Sequence, residues 1–183
     1  MRAGAGMAAR GVDLNEDFIA FCRELSLDVE HADALSALAA QAAGSLGAVT
    51  TMHLVEHLPF EGVIALIDSS LQALKPGGVL IIETPNPENL RVATHNFYLD
   101  PTHRNPLPPI MMQWLVRNRG FEDVVIHRLS EHRPQPQLPR LPESSDAAVP
   151  LNALLEWSEA APDYVYQRTV NPEDAPDQPE FVE

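Results

Sequence analysis

The segment HLVEH, His53 to His57, places two histidines and a glutamate within one helical turn. This spacing matches H-x-x-E-H, the inverted zinc-peptidase pattern, in which two histidines bind a metal and the glutamate works on a water molecule. Such a site needs a continuous helix, because only i, i+4 spacing on a helix directs both imidazoles at one ion. The β-branched residues before His53 and Pro59 after it argue against that helix. Zinc hydrolysis is therefore the least favoured interpretation. No metal ligand is assigned, and the sequence leaves open whether a divalent ion joins Glu56 and His57.

Acidic and imidazole side chains recur where predicted strands end. Asp13, Asp33 and the HLVEH segment each follow a short strand pattern. In open α/β sheets ligands bind beyond the carboxyl ends of the strands, so these groups are expected to converge on one crevice. A carboxylate there can accept hydrogen bonds from a ribose diol, and a second one can accept from an exocyclic amine. Each carboxylate could instead cap the helix that follows it.

The elements that position these groups alternate between short apolar runs and helical patterns from Gly11 to about Leu129, which is typical of parallel βα units. The predicted strands are RGVDL, LDVEHAD, AVTTMHL, VLIIETPN and FEDVVIHRLS. The predicted helices are the segment after Asn15, LSALAAQAA, PFEGVIALIDSSLQALK and IMMQWLVRNRG. The sequence therefore predicts an α/β fold.

The first predicted helix has both a cap and an apolar face. Asn15 is the expected N-cap, and Phe18, Phe21, Cys22 and Leu25 follow i, i+3, i+4, i+7 spacing. We expect this face to be buried, with Cys22 as a small core residue. One cysteine excludes an internal disulfide framework and a cysteine-rich zinc module.

The organisation changes after residue 130. A long polar loop, PENLRVATHNFYLDPTHRNPLPP, precedes the last predicted helix, and beyond Glu131 the chain becomes proline-rich and acidic. We predict an α/β domain over 1–130 and an extension over 131–183 with one late strand at DYVYQRT. The C-terminal segment NPEDAPDQPEFVE is expected to be disordered.

Net charge and hydropathy limit the classes of molecule that this protein is expected to bind. The formal net charge of −14 argues against a nucleic-acid backbone or an anionic membrane surface, since both repel an acidic protein. No run reaches the roughly 18 apolar residues of a membrane span, and no apolar signal-like stretch opens the chain. We expect a cytoplasmic protein whose partner is a small molecule or a glycan.

Five ordered segments, GVDLNEDF, ADAL, VTTMHLVEHLP, LKPGGVLIIETPNP and NFYLDPTHRNPLPP, resemble the class I S-adenosylmethionine-dependent methyltransferases. The resemblance spans about Arg10 to Leu129. The last segment is similar to bacterial methyltransferases associated with polysaccharide or cell-surface glycan synthesis. The resemblance implies a Rossmann-like sheet of order 3-2-1-4-5-7-6 and S-adenosylmethionine as cofactor.

The same resemblance implies a cofactor site. Asp13 would hold the ribose hydroxyls, and Asp33 with Ala34 would receive the adenine. Met52 and His53 would form the floor. The full set of implied cofactor-binding residues is Asp13, Leu14, Asp33, Ala34, Met52 and His53.

The acceptor side follows from the segments around HLVEH and DPTHR. Glu56 and His57 are implied to face the methyl-transfer side as catalytic residues, where a histidine takes the proton of a substrate hydroxyl. His103 and Arg104 are candidate substrate contacts. The expected reaction is O-methylation of a sugar, glycan or other small hydroxyl compound. His57 could instead only pack locally, and the DPTHR loop could be a structural lid.

The family's first strand and glycine-rich loop have no counterpart in MRAGAGMAAR, residues 1–10. We therefore expect an N-terminally truncated methyltransferase sheet with unpaired edges at its centre and weak or absent cofactor binding. This departure favours an alternative, a catalytically inactive remnant or partner subunit. A homo-oligomer or a partner chain could complete the sheet.

Overall fold

A computed structural model describes residues 8–129, 140, 142, 149–154 and 164–172. Its strands are β1 (Gly11–Asp13), β2 (Val29–His31), β3 (Leu46–Met52), β4 (Leu74–Pro85), β5 (Glu122–Leu129) and β6 (Tyr164–Val170). Its helices are α1 (Glu16–Glu24), α2 (Ala34–Ala39), α3 (Phe60–Ala73), α4 (Leu90–Thr94) and α5 (Pro109–Asn118), with 3-10 turns at Val55–His57 and Asn96–Leu99.

The strands form two sheets. β1 and β2 pair in parallel, and the second sheet has the order β3-β4-β6-β5. In that sheet β3 and β4 are parallel, whereas β6 runs antiparallel to both β4 and β5. We can number β1 to β6 as the second to seventh strands of the expected order. The smaller sheet then has the order 3-2, and the larger sheet has the order 4-5-7-6. The Rossmann-like α/β fold is confirmed, and within the described residues no strand pairs with the free edges of β1 and β3.

The late strand lies inside the larger sheet. β6 pairs with β4 from Val79↔Val170 to Pro85↔Tyr164 and with β5 on its other side. The residue after it, Asn171, is buried, and its side-chain amide donates to the carbonyls of Leu74 and Lys75 at 2.9 and 3.1 Å. The expectation of disorder is therefore wrong for Asn171 and Pro172, while the remainder of that segment lies outside the described residues.

The hydrophobic core lies against the larger sheet. α3 has apolar side chains at helical spacing, and its buried residues include Val63, Leu66 and Ile67. They pack with strand residues such as Leu80 and with α5 residues such as Val116 in one cluster. An Arg119–Asp68 ion pair links the end of α5 to α3. This packing makes β3, β4 and the turns at their ends a rigid support.

The face of α1 contradicts the expectation of burial. Asn15 caps the helix as predicted, accepting from the backbone N–H groups of Asp17 and Phe18 at 2.9 and 3.1 Å. However, the three large apolar residues of the predicted face are 57–62% exposed, and the half-buried Cys22 is not a core residue. These exposed residues are Phe18, Phe21 and Leu25. The reason is that, within the described residues, α1 packs mainly on β1 and β2, and two strands are too narrow to cover its face.

The long loop before α5 is more regular than expected. It contains α4, capped by the side chain of Asn89, and the 3-10 turn Asn96–Leu99. Both elements lie close to the ends of β3 and β4, so the loop can bring side chains to that edge of the sheet. Among the described helices, none has the length and apolar character needed to cross a bilayer.

Candidate active site at the carboxyl ends of the strands

The HLVEH segment turns sharply after β3. His53 adopts a left-handed conformation with φ of 50°, and Val55–His57 forms a 3-10 turn that ends before Pro59. A non-glycine residue with positive φ is uncommon, and such strain concentrates at functional sites. The prediction that no helix runs through both histidines is confirmed. The zinc-peptidase geometry is therefore absent from this segment.

Glu56 is the buried centre of the turn. Its side chain is 0% exposed, and its carboxylate accepts hydrogen bonds from the Thr84 hydroxyl at 3.1 Å and from Nδ1 of His53 at 3.2 Å. Burial of a carboxylate is costly unless it is paired and hydrogen-bonded. The sheet supplies that pairing, because Thr84 and His53 stand at the neighbouring ends of β4 and β3.

His53 lies between two carboxylates. Nδ1 faces Glu56, and Nε2 lies 3.3 Å from the carboxylate of Glu83. The hydrogen bond to Glu56 raises the pKa of His53, with smaller contributions from both negative charges and partial opposition from burial. Its ring also meets Tyr164 edge-on, with centroids 5.0 Å apart. Both ring nitrogens of His53 are thus engaged within the protein.

The DPTHR loop docks onto the same turn. The backbone N–H of Arg104 donates to the carbonyl of Glu56 at 2.8 Å, and the Thr102 hydroxyl lies 2.8 Å from Nδ1 of His57. The rings of His57 and His103 lie 4.7 Å apart between centroids. Residues 46 positions apart in the chain, His57 and His103, thereby share one site. The Arg104 side chain is exposed at the rim.

Hydrogen bonds fix the orientation of both imidazoles. The Thr102 hydroxyl donates to Asp100 at 2.6 Å, so its oxygen is free to accept the Nδ1–H of His57. Nδ1 of His103 lies 2.7 Å from the carbonyl of Phe97, which can only accept. The hydrogen bonds from the Thr102 hydroxyl and backbone N–H lower the pKa of Asp100. With Nδ1–H as the donor in each ring, the lone pair of the imidazole lies on Nε2.

A cavity of about 140 Å³ opens beside this cluster. It is lined by His53, Pro85, Val92, Asn96, Phe97, His103 and Tyr164. The lining combines aromatic faces with polar edges, as small-molecule sites do. The cavity therefore offers room for part of a small acceptor molecule against His103.

The predicted cofactor carboxylates lie in the smaller sheet. Asp13 ends β1, and its carboxylate accepts from the backbone N–H of Asn15 at 2.7 Å. Asp33 caps α2, accepting from the N–H and the hydroxyl of Ser36 at 2.8 and 2.7 Å. The hydroxyl and then the N–H of Ser36 lower the pKa of Asp33. The helix-cap alternative is thus realised at Asp33, while Asn15 rather than Asp13 caps α1.

The remaining predicted cofactor residues are accessible. Leu14 is 65% and Met52 47% exposed, and Ala34 is half-buried. Exposed apolar surface beside an exposed carboxylate suits an adenosine, so these residues fit the nucleoside part of S-adenosylmethionine. Asp13 and Leu14 lie on the smaller sheet, whereas Met52 and His53 end β3 of the larger one. No hydrogen bond joins β1 to β3 in the described part of the chain.

Several residues of the site were not predicted. Thr84 and Glu83 end β4, and the rule that ligands bind beyond strand ends could have singled them out. Thr102 stands inside the DPTHR segment but was not assigned a role. Phe97 acts through its backbone carbonyl, and Tyr164 comes from the extension, so no local pattern identified them.

The fold and the strand-end site define a Rossmann-like methyltransferase architecture. A family model of the methyltransferase domain matches residues 4–126, more than half of the chain. A SAM-dependent methyltransferase from Archaeoglobus fulgidus is 30% identical, with a TM-score of 0.75 over 90% of this chain and 76% of that one. The chain therefore belongs to the S-adenosylmethionine-dependent methyltransferase family, whose cofactor is S-adenosylmethionine.

More distant structures share the fold. A methyltransferase in complex with the Trm112 methyltransferase activator from Haloferax volcanii has a TM-score of 0.64 at 14% identity, covering 89% of this chain and 71% of that chain. Phosphoethanolamine N-methyltransferase 2 of Haemonchus contortus, solved with S-adenosylhomocysteine, has a TM-score of 0.58 at 14% identity. The match covers 89% of this chain and 43% of the nematode enzyme.

Short stretches of this chain are also similar to argininosuccinate synthases. A stretch of 26 residues is 81% identical to argininosuccinate synthase of a Ruegeria strain, and 31 residues are 71% identical to the Paracoccus denitrificans enzyme. These stretches span 14% and 17% of this chain and only 6% and 8% of those enzymes. Such short matches do not assign the fold or the activity of argininosuccinate synthase to this chain.

Proposed function

We propose that this chain methylates a hydroxyl group of a sugar, glycan or other small hydroxyl compound. The observation that carries the proposal is the meeting of Glu56, His57 and His103 at the end of β3, beside a cavity. An acceptor hydroxyl placed in that cavity lies on the methyl-transfer side of the strands that carry the predicted cofactor residues.

When no metal ion occupies the site, the proton acceptor would be Nε2 of His57. The Asp100–Thr102 pair holds Nδ1–H and so leaves the Nε2 lone pair available. His103 lines the cavity and orients the acceptor, with Arg104 at the rim. Buried Glu56 positions the turn through its own carbonyl and carboxylate.

The cofactor supplies a methyl group already activated on a sulfonium. His57 would take the proton of the acceptor hydroxyl and pass it to solvent as the oxygen bonds to the methyl carbon, and the electron pair of the broken bond would remain on the cofactor's sulfur. The protein mainly aligns donor and acceptor, which can contribute roughly 7–11 kcal/mol. Asp13 and Asp33 would hold the nucleoside for that alignment.

The test is turnover of S-adenosylmethionine with a panel of sugar and phenol acceptors, measured as S-adenosylhomocysteine formed. We expect His57→Ala to lower kcat by about 10²–10⁴-fold while cofactor affinity is unchanged. His127→Ala is the matched control, since His127 stacks on Tyr166 in the sheet, away from the cluster. Equal turnover by wild type and His57→Ala would contradict the assignment of His57.

A second candidate function is a noncatalytic binding or partner role. The observation that favours it is that β1 and β3 each have an edge with no paired strand in the part of the chain that the structure describes, together with the exposed apolar face of α1. Open edges are templates for pairing with another chain. A folded protein that elutes as a complex or oligomer and binds no cofactor in calorimetry would support this role over methyl transfer.

A further inference from the structure

Glu56, His57 and His103 also have the composition of a metal site. Each offers one ligand atom, and these atoms all lie within 4.8 Å of one another. Two imidazoles and one carboxylate form a donor set that divalent transition metals favour, because imidazole suits zinc, iron and nickel better than magnesium or calcium. The composition of the cluster therefore favours a divalent transition metal over magnesium or calcium.

The two histidines already have the outer hydrogen bonds of metal ligands. A ligating histidine usually donates its other ring N–H to an oxygen, which fixes its tautomer and ring plane. His57 donates Nδ1–H to Thr102, whose hydroxyl is held by Asp100, and His103 donates Nδ1–H to Phe97. Nε2 of each ring is thus left for a ligand, although Nε2 of His103 also lies 4.0 Å from the carboxylate of Asp100.

The third ligand brings a buried negative charge. Glu56 has no exposed side-chain surface, and each carboxylate oxygen receives one hydrogen bond, from His53 or from Thr84. Each oxygen therefore has a further lone pair available for an ion. A cation at this point also compensates the burial of the carboxylate.

A backbone hydrogen bond holds the three ligand residues close to one another. The Arg104 N–H to Glu56 carbonyl bond fixes the loop on the turn at 2.8 Å. An ion about 2.0–2.2 Å from each ligand atom requires ligand atoms about 3.0–3.5 Å apart. Separations of up to 4.8 Å must then shorten by at most about 1.8 Å. Pivoting of the half-buried imidazoles about Nδ1 can supply this movement while the hydrogen bonds to Thr102 and Phe97 are retained.

We propose that Glu56, His57 and His103 bind one divalent transition-metal ion. The three ligands leave coordination positions open, and His103 lines the adjacent cavity. The site differs from the H-x-x-E-H pattern, because both nitrogens of His53 are engaged with Glu56 and Glu83. Binding of the ion is independent of catalysis. An open coordination position of the ion would receive the acceptor hydroxyl, and this role rests on the proposed function. In that case His57 serves as a ligand of the ion.

Zinc titration of the chelator-treated full chain by calorimetry tests the proposal, with Co²⁺ absorption as a spectroscopic signature of imidazole ligation. We expect one ion per wild-type chain. Glu56→Gln and His103→Ala should each weaken binding at least tenfold. Thr102→Val, which removes the acceptor for His57, should weaken binding about 10–100-fold, while Thr102→Ser retains it.

The matched control is His95→Ala, an exposed histidine of the same loop outside the cluster, which should bind zinc as wild type does. Circular dichroism shows whether each variant is folded, and zinc should raise the melting temperature of wild type but not of folded His103→Ala. Equal zinc affinity in all variants, or no binding by wild type at micromolar zinc, would overturn the proposal. Chelator-treated chain that still methylates an acceptor would separate that failure from the proposed function.

Discussion

The two sheets of this molecule differ sharply in how firmly they are packed. The acceptor half, defined as β3 to β6 with α3, α5 and the loop over 86–108, contains the hydrophobic core cluster and the buried Glu56. The cofactor half, defined as β1, β2, α1 and α2, has Ile19 as its one buried residue within the described part of the chain. The side chains proposed for proton transfer or metal binding are thus held in a rigid frame, whereas the side proposed for the nucleoside is open.

The contrast extends to the carboxylates. Glu56 is fully buried and hydrogen-bonded by Thr84 and His53, so its position is set by the tertiary structure. Asp13 and Asp33 are exposed and hydrogen-bonded to residues two and three positions ahead. Elements with few buried contacts open at low free energy cost, and binding regions are often drawn from them. We infer that cofactor binding and ordering of the cofactor half are coupled.

The largest expected effect is on stability. Leu80→Ala, in the fully buried centre of β4, should lower the free energy of unfolding by about 2–5 kcal/mol, because it leaves a cavity in the acceptor half. Phe18→Ala, on the exposed face of α1, should change it by less than about 0.5 kcal/mol. Urea denaturation followed by circular dichroism measures both. A large loss of unfolding free energy in Phe18→Ala would mean that the apolar face of α1 is covered in solution, and it would contradict the difference in packing between the two halves.

An intermediate effect is expected on cofactor affinity. Asp13→Ala removes the proposed charge-assisted hydrogen bonds to the ribose, each worth about 1.5–3 kcal/mol, so affinity for S-adenosylmethionine should fall at least about 10-fold. Unfolding should change little, because Asp13 is exposed. Calorimetry with Asp17→Ala as the control acid measures the difference. Unchanged affinity in Asp13→Ala would remove the ribose assignment.

The smallest effect concerns Glu88, whose carboxylate is held by Arg128 of β5 at 2.8 and 3.0 Å. This hydrogen-bonded ion pair lowers the pKa of Glu88 from its ordinary 4.5. The pair therefore stabilises the fold at pH values above 4.5, and its contribution is lost as pH falls through the lowered pKa. Glu88→Gln should cost less than about 1 kcal/mol at neutral pH, since the pair is partly exposed.

Denaturation of wild type and Glu88→Gln across acidic pH measures this difference, which should shrink towards zero below the lowered pKa of Glu88. A difference between the two proteins that grows on acidification would contradict the assigned sign. Arg128→Gln should reproduce the Glu88→Gln loss at neutral pH.

Local patterns predicted much of the fold. The cap at Asn15, the apolar spacing of α3 and the β-branched run of β3 are local signals, and each element formed where its signal lay. The exposed face of α1 was mispredicted, because helical periodicity states which side is apolar but not whether a sheet is wide enough to cover it. The burial of Asn171 was likewise missed, since its partners Leu74 and Lys75 are nearly 100 positions away.

The sequence by itself determined the class of fold, the family and the placement of Asp13, Asp33 and Glu56 at strand ends, because these depend on residues close together in the chain. Only the tertiary structure decided which groups form the site. The HLVEH spacing suggests that its two histidines act as a pair, but the left-handed turn at His53 separates them. Docking of the distant loop instead brings His103 to His57 and Glu56. A spacing rule assumes one continuous helix, whereas the distances here are set by packing between a strand end and a distant loop.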